Sequence, residues 1–190
     1  MADTERRAEQ RQGPCVVVDP YSSGALFAEA LRERGVPVAA VLSSARPPEA
    51  YASSYRPRDF PDALVHDGDL EELVRWVRAL DPRCVIAGCE SGVELAERLA
   101  PRVLPAVSNV PELAEARRDK SRMADAVRAA GLPVIPQLCT ADADEAADWL
   151  EREGLAGADL VIKPPKSAST DGVIKGPGGA DWRGGCAAGA

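Results

Sequence analysis

The sequence predicts an α/β fold built around a parallel β-sheet, and two observations carry this prediction. Short runs of β-branched and other apolar residues alternate with segments whose apolar residues recur every three or four positions. The first pattern is typical of buried strands and the second of amphipathic helices. Glycines follow three of the helical segments, at Gly35, Gly131 and Gly154, as is typical of helix C-termini. Strands separated by helices pair in parallel, with right-handed crossovers.

The first half of the chain is expected to contribute the sheet. Four strands are predicted at residues 15–18, 36–42, 63–66 and 84–87, and a weaker fifth at 104–107. Helices are predicted at residues 25–34, 70–80 and 93–99, the second of them capped by Asp69. Residues 43–61 are rich in Pro, Ser and Tyr and are expected to be irregular, with one helical turn. Residues 15–112 together predict a Rossmann-like domain.

A change in composition marks a second domain, with the boundary between Asn109 and Arg118. Residues 113–175 are assigned to it, and the elements predicted near and within it are helices at 112–118, 119–130 and 142–153, an extended segment at 132–136 and a strand at 160–162. Residues 1–14 and the Gly/Ala-rich residues 176–190 have no hydrophobic period and are expected to be a disordered lead-in and tail. A domain that loses its pattern just after a strand and a loop is interpreted as truncated.

Composition and charge disfavour several classes of function. The 190-residue chain has a formal net charge of −7 and a pI near 4.9, which argues against non-specific binding to nucleic acid or to an anionic membrane. No apolar run is long enough to span a bilayer, and the N-terminus lacks the core of a signal peptide, so a cytoplasmic protein is expected. The five cysteines form no C-x-x-C pair, so no disulfide framework or zinc site is predicted. Cys15 and Cys84 are interpreted as buried, inert thiols.

One stretch has the pattern of an anion site. A short apolar run ends at Lys163, and Pro-Pro-Lys-Ser167 leads into a hydroxyl-rich loop that reaches Gly172. A buried strand would fix the stem of Lys163, whose ammonium would act as a point charge for phosphate. Hydroxyl and backbone N–H groups of the loop would add donors around the phosphate oxygens. The alternative is a solvent-exposed turn after an edge strand.

The loops that follow the first and fourth strands form a second candidate region. In an open parallel sheet such loops line the ligand crevice, so their polar side chains are candidate substrate contacts, namely Ser22, Ser23, Glu90 and Ser91. The alternative is that Ser91 caps a helix and Glu90 is solvated. The loop after the first strand has only the last glycine of G-x-G-x-x-G, and no P-loop occurs in the chain. Dinucleotide binding is therefore disfavoured.

Three features together resemble the ATP-grasp superfamily. These are the Rossmann-like leading domain, the helix from Asp119-Lys120 to Gly131, and the lysine loop about thirty residues later. Residues 88–99 (Gly88-Cys-Glu-Ser-Gly-Val-Glu-Leu-Ala-Glu-Arg-Leu99) and 163–173 look like the branch that contains L-amino-acid ligases and dapdiamide-type synthetases. The similarity covers residues 15–174. It implies the N-terminal portion of such an enzyme, with a Rossmann-like pre-ATP-grasp domain followed by the first lobe of the ATP-grasp domain.

This resemblance implies roles for particular residues. Lys120 matches the lysine that reaches the ATP phosphates, and Lys163 matches the strand lysine that contacts the phosphates and the adenine end. Residues 167–172 match the flap that closes over the phosphates, with Ser169 and Thr170 where some relatives carry glycine. The ATP contacts implied in this flap are Ser167, Ser169, Thr170 and Gly172.

The resemblance also implies a reaction. Members of the family use ATP to phosphorylate a carboxylate, and an amine then attacks the acylphosphate while Mg²⁺ neutralises phosphate charge. The expected partners are ATP and a small carboxylate or amino acid. The family's metal ligands and transition-state arginine lie in a second half that has no counterpart in this sequence, so no catalytic residue or metal ligand is assigned.

Two other interpretations stay open. A non-catalytic nucleotide-binding or regulatory module would bind ATP without the reaction. A plain Rossmann-like structural or dimerisation domain would leave the lysine loop in solvent and would take a second copy of the chain as its partner.

Overall fold

The computed structural model describes residues 12–47, 49–167, 172–179 and 182–183. The chain divides into two compact units between Ala114 and Glu115. Most of the predicted lead-in and tail lies outside the described residues. No helix in the described part is long and apolar enough to cross a bilayer.

The first unit is built on a four-stranded parallel sheet with the order β3-β2-β1-β4. Its strands are β1 (Cys15–Val18), β2 (Val38–Leu42), β3 (Asp62–Val65) and β4 (Cys84–Ala87). Its α-helices are α1 (Phe27–Arg32), α2 (Glu49–Ala52), α3 (Leu70–Ala79) and α4 (Val93–Val103). Turns of 3₁₀ helix lie at Ser22–Leu26, Pro57–Asp59, Glu90–Gly92 and Pro111–Leu113. The predicted α/β class is confirmed, and this sheet with its flanking helices is consistent with a Rossmann-like domain.

Every side chain of β1 is buried because the strand lies between β2 and β4 with a helical layer on each face. Val16 and Val18 pack on the face covered by α3 and α4. Cys15 and Val17 point to the other face, where Ala28 of α1 packs. A continuous apolar run suits a strand buried on both faces. From β1 the chain adds β2 and then β3 on one side of β1, and it then crosses back to add β4 on the other side. Right-handed crossovers in opposite directions place their helices on opposite faces of the sheet.

Helix ends in this unit follow local sequence signals. The carboxylate of Asp69 accepts the amides of Glu71 and Glu72 at 2.9 and 3.1 Å, which confirms the predicted cap of α3. The hydrogen bond from Glu72, aided by that from Glu71, lowers the pKa of the Asp69 carboxyl. Gly35 has φ of +68° just after α1, a conformation that glycine adopts without steric cost.

The predicted fifth strand at residues 104–107 is wrong. The amide of Val107 donates to the carbonyl of Leu104 at 3.1 Å, which closes a turn directly after α4. Pro105 stands inside this stretch and has no amide to donate to a strand neighbour.

The second unit contains a small antiparallel sheet and two helices. Its elements are β5 (Leu160–Ile162), β6 (Ile174–Gly176), α5 (Lys120–Ala129), α6 (Ala143–Arg152) and 3₁₀ turns at Glu115–Arg117 and Pro177–Gly179. The helix predicted at 112–118 is replaced by two 3₁₀ turns, at Pro111–Leu113 and Glu115–Arg117.

Strand β6 was not predicted, because the sequence loses its hydrophobic period after Ile174. Leu160 pairs with Gly176, and Ile162 pairs with Ile174. The amide of Gly178 then donates to Oδ1 of Asp159 at 2.8 Å. The pairing of β5 with β6 uses backbone groups, which need no particular side-chain pattern.

Candidate functional site

Lys120 is the first residue of α5, and its backbone is fixed on both sides. Asp119 caps the helix by accepting the amides of Ser121 and Arg122 at 2.9 and 3.1 Å. The amide of Lys120 itself donates to the carbonyl of Pro165 at 3.0 Å. The start of α5 is therefore attached to the loop that follows β5.

The side chain of Lys120 makes a second attachment to the same loop. Its ammonium donates to the carbonyl oxygens of Pro164, Pro165 and Ser167 at 3.1, 3.5 and 3.3 Å, and to Oγ of Ser167 at 3.1 Å. An ammonium has three N–H donors, so these four oxygens share them. Of the predicted ATP contacts, Lys120 and Ser167 are thus in direct contact.

Lys163 and Gly172 lie at the two ends of the loop between β5 and β6. Lys163 follows directly after β5 and is exposed. Gly172 has φ of +67°, and a Cβ atom at this position would lie 2.7 Å from Cγ of Pro164. Both the backbone conformation and the close contact therefore require glycine. The predicted contacts Ser169 and Thr170 lie outside the described residues.

A pocket of about 620 Å³ lies in the second unit, with Lys120 and Lys163 in its lining. Gly172 also contributes, and apolar walls come from Trp149, Leu150, Leu160, Ile162 and Trp182. The volume is within the range typical of small-molecule sites. Apolar walls with two cations in the lining can hold a flat or apolar group that carries an anion.

The first unit contains a buried acidic residue that the sequence analysis did not select. Asp19 follows β1 directly and is 0% exposed. Its carboxylate accepts the amide and the hydroxyl of Ser43 at 2.7 and 2.6 Å and the hydroxyl of Ser91 at 2.6 Å. A buried carboxylate requires such donors. Asp19 therefore joins the carboxyl ends of β1 and β2 to the loop after β4. The sequence signal that could have identified Asp19 is its position as an acidic residue directly after an unbroken apolar strand.

Three glycines bring the loops after β1 and β4 into backbone contact. A Cβ atom on Gly24 would lie 2.3 Å from the carbonyl oxygen of Gly88, and one on Gly88 would lie 2.4 Å from that of Asp19. A Cβ atom on Gly92 would lie 2.4 Å from the carbonyl oxygen of Val18. The strand order reverses between β1 and β4, the position at which open α/β sheets bind nucleotides. Here the two loops occupy that position with their own backbones.

The four candidate substrate contacts lie at this edge of the first sheet. Ser22 has φ of +51°, its amide donates to Oγ of Ser54 at 2.7 Å, and it is exposed, as are Ser23 and Glu90. The hydroxyl of Ser91 donates to Asp19 and makes no helix cap, so the capping alternative for Ser91 is wrong. A substrate role for these residues stays a prediction.

Acidic, cysteine and histidine side chains do not gather into a metal-binding group within the described ranges. No Mg²⁺ ligand is assigned to them.

The fold and the site define an α/β protein with a Rossmann-like first unit and a second unit in which two lysines line a pocket. No family model matches the chain. The chain is similar to dapdiamide A synthase of Enterobacter agglomerans, with 32% identity over 160 residues. The match covers 84% of this chain and 37% of that protein. Similarity to a dapdiamide-type synthetase, expected from residues 88–99 and 163–173, is thereby confirmed.

Proposed function

We propose that this chain is the ATP-binding, N-terminal part of an ATP-grasp ligase that joins a carboxylate to an amine. The observation that supports this most strongly is that Lys120 and Lys163, far apart in sequence, line one apolar pocket. The similarity of this chain to dapdiamide A synthase supports a ligase-like function. The finer assignment to the ATP-grasp superfamily rests on the resemblance of the lysine motifs and their spacing.

In this proposal the apolar walls hold the adenine ring, and the phosphates lie toward the two lysines. Phosphate oxygens would compete with Pro164 and Ser167 for the ammonium of Lys120, and charged acceptors form the stronger hydrogen bonds. Ser167 and Gly172 would contribute hydroxyl and backbone donors from the same loop. Ser169 and Thr170 are proposed as further contacts from the same loop.

The proposed reaction has two steps. A carboxylate oxygen of the acid substrate attacks the γ-phosphorus of ATP, which breaks the bond to ADP and forms an acylphosphate. The amine then attacks the acyl carbon, the bond to the phosphate oxygen breaks, and amide and phosphate are formed. Mg²⁺ would neutralise phosphate charge in transfer.

ATP binding and ligation are proposed for proteins of different length. Because the chain spans 37% of its relative, ligation is proposed for a protein of the relative's length, whereas ATP binding is proposed for this chain. The loops after β1 and β4 are proposed to face the substrate, through Ser22, Ser23 and Glu90. Ser91 would act there through its bond to Asp19.

Calorimetric titration of the chain with ATP tests the proposal. Lys163→Ala and Lys120→Ala should each weaken binding at least about tenfold, because each removes a charged phosphate contact worth about 1.5–3 kcal/mol. Lys175→Ala is the matched control, because Lys175 is an exposed cation on β6 that does not line the pocket. Absence of saturable binding, or equal losses in all three variants, would exclude a specific ATP site.

A chimera tests the reaction separately. This chain would replace the matching segment of dapdiamide A synthase, and ADP release and amide formation would be measured with amino-acid mixtures. Amide formation supports the ligase. ATP binding without ADP release would instead favour a non-catalytic nucleotide-binding module.

A further inference from the structure

We propose that Cys15 and Cys84 form a redox pair that peroxide converts to a disulfide linking β1 to β4. Both thiols are free, and their Sγ atoms are 3.0 Å apart. Each cysteine is the first residue of its strand, and the two are direct partners in the parallel ladder. They lie at the amino end of the sheet, opposite the edge that carries Asp19.

The sheet already has the backbone spacing that a disulfide needs. Neighbouring strands lie about 4.8 Å apart, and disulfides join Cα atoms that are about 4.4–6.8 Å apart. An S–S bond is about 2.05 Å long, so the two sulfur atoms need to approach by only about 1 Å. Both side chains point to the same face of the sheet, as their contacts in one apolar cluster show. The bond can therefore form by side-chain rotation while the ladder is kept.

The two thiols differ in access. Cys15 is 1% exposed within the apolar cluster, whereas Cys84 is partly exposed on β4, an edge strand. Arg83 directly precedes Cys84, and its Nε atom donates a hydrogen bond to the carbonyl of Gly13 at 2.9 Å. This hydrogen bond fixes the position of the guanidinium group. A peroxide therefore reaches Cys84 first, next to a fixed positive charge, and Cys15 is placed to resolve the product.

Electrostatics favours the same order. The hydrogen bond between the thiols, assisted by the charge of Arg83, lowers the pKa of Cys84. The same hydrogen bond and burial raise the pKa of Cys15. Because Cys84 is also the more exposed of the two, it is in our proposal the sulfur that reacts first as a thiolate, and Cys15 keeps its proton until the second step.

The chemistry balances with hydrogen peroxide as the oxidant. The Cys84 thiolate attacks one peroxide oxygen, the O–O bond breaks, and Cys84 becomes a sulfenic acid while hydroxide leaves and takes up a proton as water. The sulfur of Cys15 then attacks the sulfur of Cys84, the S–O bond breaks, and the proton of Cys15 leaves with the hydroxyl as a second water. Two thiols are oxidised by two electrons, and one peroxide is reduced to two waters.

The disulfide would close a covalent loop over residues 15–84, which contains β1, β2 and β3 and ends at the first residue of β4. Such a bond restricts the unfolded chain and stabilises the folded state. We expect the melting temperature of the oxidised protein to exceed that of the reduced protein by on the order of 10 °C, and dithiothreitol should reverse the shift.

The test uses the full chain, treated with hydrogen peroxide, alkylated at its remaining thiols under denaturing conditions and digested with trypsin without reduction. The tryptic peptide that begins after Arg83 contains both Cys84 and Cys89, so the experiment is repeated with Cys89→Ser. In both proteins the peptide with Cys15 should be linked to the peptide with Cys84, and two alkylatable thiols should be lost. Cys139→Ser, which removes an exposed cysteine of the second unit, should form the same cross-link after peroxide treatment as the unsubstituted chain.

Three outcomes would overturn the proposal. These are a Cys15 that stays alkylatable after peroxide treatment, a cross-link that disappears in Cys89→Ser, and a thiol loss that is unchanged in Cys84→Ser. Mapping of the unsubstituted chain and of Cys89→Ser does not depend on the folding of Cys84→Ser, so it decides the matter even if that variant is unstable.

Discussion

The ammonium of Lys120 donates to both oxygens of Ser167, to the hydroxyl at 3.1 Å and to the carbonyl at 3.3 Å. One side chain thereby holds the start of α5 to the loop that follows β5. Its charge is satisfied by neutral oxygen atoms, which a phosphate can displace because it is a stronger acceptor. In the proposed function Lys120 is both a structural contact and a ligand contact.

Substitution of Lys120 should therefore affect folding as well as ATP binding. Lys120→Met is expected to lower the free energy of unfolding of the second unit by about 1.5–3 kcal/mol, because hydrogen bonds from a charged donor are lost. Urea denaturation followed by fluorescence in a Trp76→Phe background measures this, since Trp149 and Trp182 then report on the second unit. Lys175→Met should change stability by less than about 0.5 kcal/mol. Equal effects of the two substitutions would contradict the role of Lys120.

Removal of the Asp19 carboxylate should destabilise the first unit. Asp19→Ala leaves the amide and hydroxyl of Ser43 and the hydroxyl of Ser91 without their buried acceptor, and we expect a loss of about 3 kcal/mol in the free energy of unfolding. Urea denaturation followed by Trp76 fluorescence, with Trp149 and Trp182 replaced by Phe, measures it. Asp62→Ala, at an exposed residue of β3, should cost less than about 0.5 kcal/mol. A similar cost for both would argue against the buried cluster.

Two glycines of the first unit should respond differently to alanine. In Gly24→Ala the new Cβ atom would lie 2.3 Å from a backbone oxygen of Gly88, and we expect a cost of about 2 kcal/mol or more because the clash is with backbone atoms and not with a flexible side chain. Gly35 has nothing within 4 Å of its Cβ position but has φ of +68°, so Gly35→Ala should cost about 1–2 kcal/mol through backbone strain alone. Thermal unfolding of both variants measures the difference. A milder effect at Gly24 would mean that the loops after β1 and β4 are not in contact.

Tyr21 should limit stability at alkaline pH. The residue is 1% exposed, and its hydroxyl has no hydrogen-bond partner in the described part of the chain. Burial, followed by the negative charge of Asp19, raises the pKa of Tyr21 to about 12. Tyrosine in the unfolded chain ionises near pH 10, so between about pH 10 and 12 the unfolded state loses its proton first and the free energy of unfolding falls.

The Tyr21→Phe variant tests this dependence. At pH 7 it should be unchanged or more stable by up to about 1 kcal/mol, because an unsatisfied buried hydroxyl is removed. Above pH 10 its free energy of unfolding should fall less steeply than that of the unsubstituted chain, as measured by urea denaturation at stepped pH. Tyr51→Phe is the control for loss of a tyrosine elsewhere. A marked destabilisation of Tyr21→Phe at pH 7 would show that the hydroxyl has a partner.

Local sequence signals predicted the elements that depend on neighbouring residues. The apolar runs at β1 and β4 form strands over the predicted residues, and Asp69 caps α3 as predicted. Gly35, Gly131 and Gly154 all take positive φ after helices. These features are set by side-chain period, capping and backbone conformation over a few residues, which a single sequence displays.

Pairing between distant residues was not predictable in the same way. Strand β6 has no hydrophobic period and forms because β5 offers it a partner. The cluster of Asp19, Ser43 and Ser91 depends on which strands are neighbours. The sequence analysis predicts that Cys15 and Cys84 are inert, but it does not predict that they face each other across adjacent strands.

The sequence by itself determined the alternation of strands and helices, the helix ends and the two lysines that suggest a phosphate site. Only the tertiary structure decided the strand order that places β1 between β2 and β4, and the contact of Lys120 with a residue 47 positions later. The physical reason is that strand order and such contacts depend on the free energy of long-range packing, which must exceed the entropy lost when distant segments are joined. Local patterns carry the first kind of information and not the second.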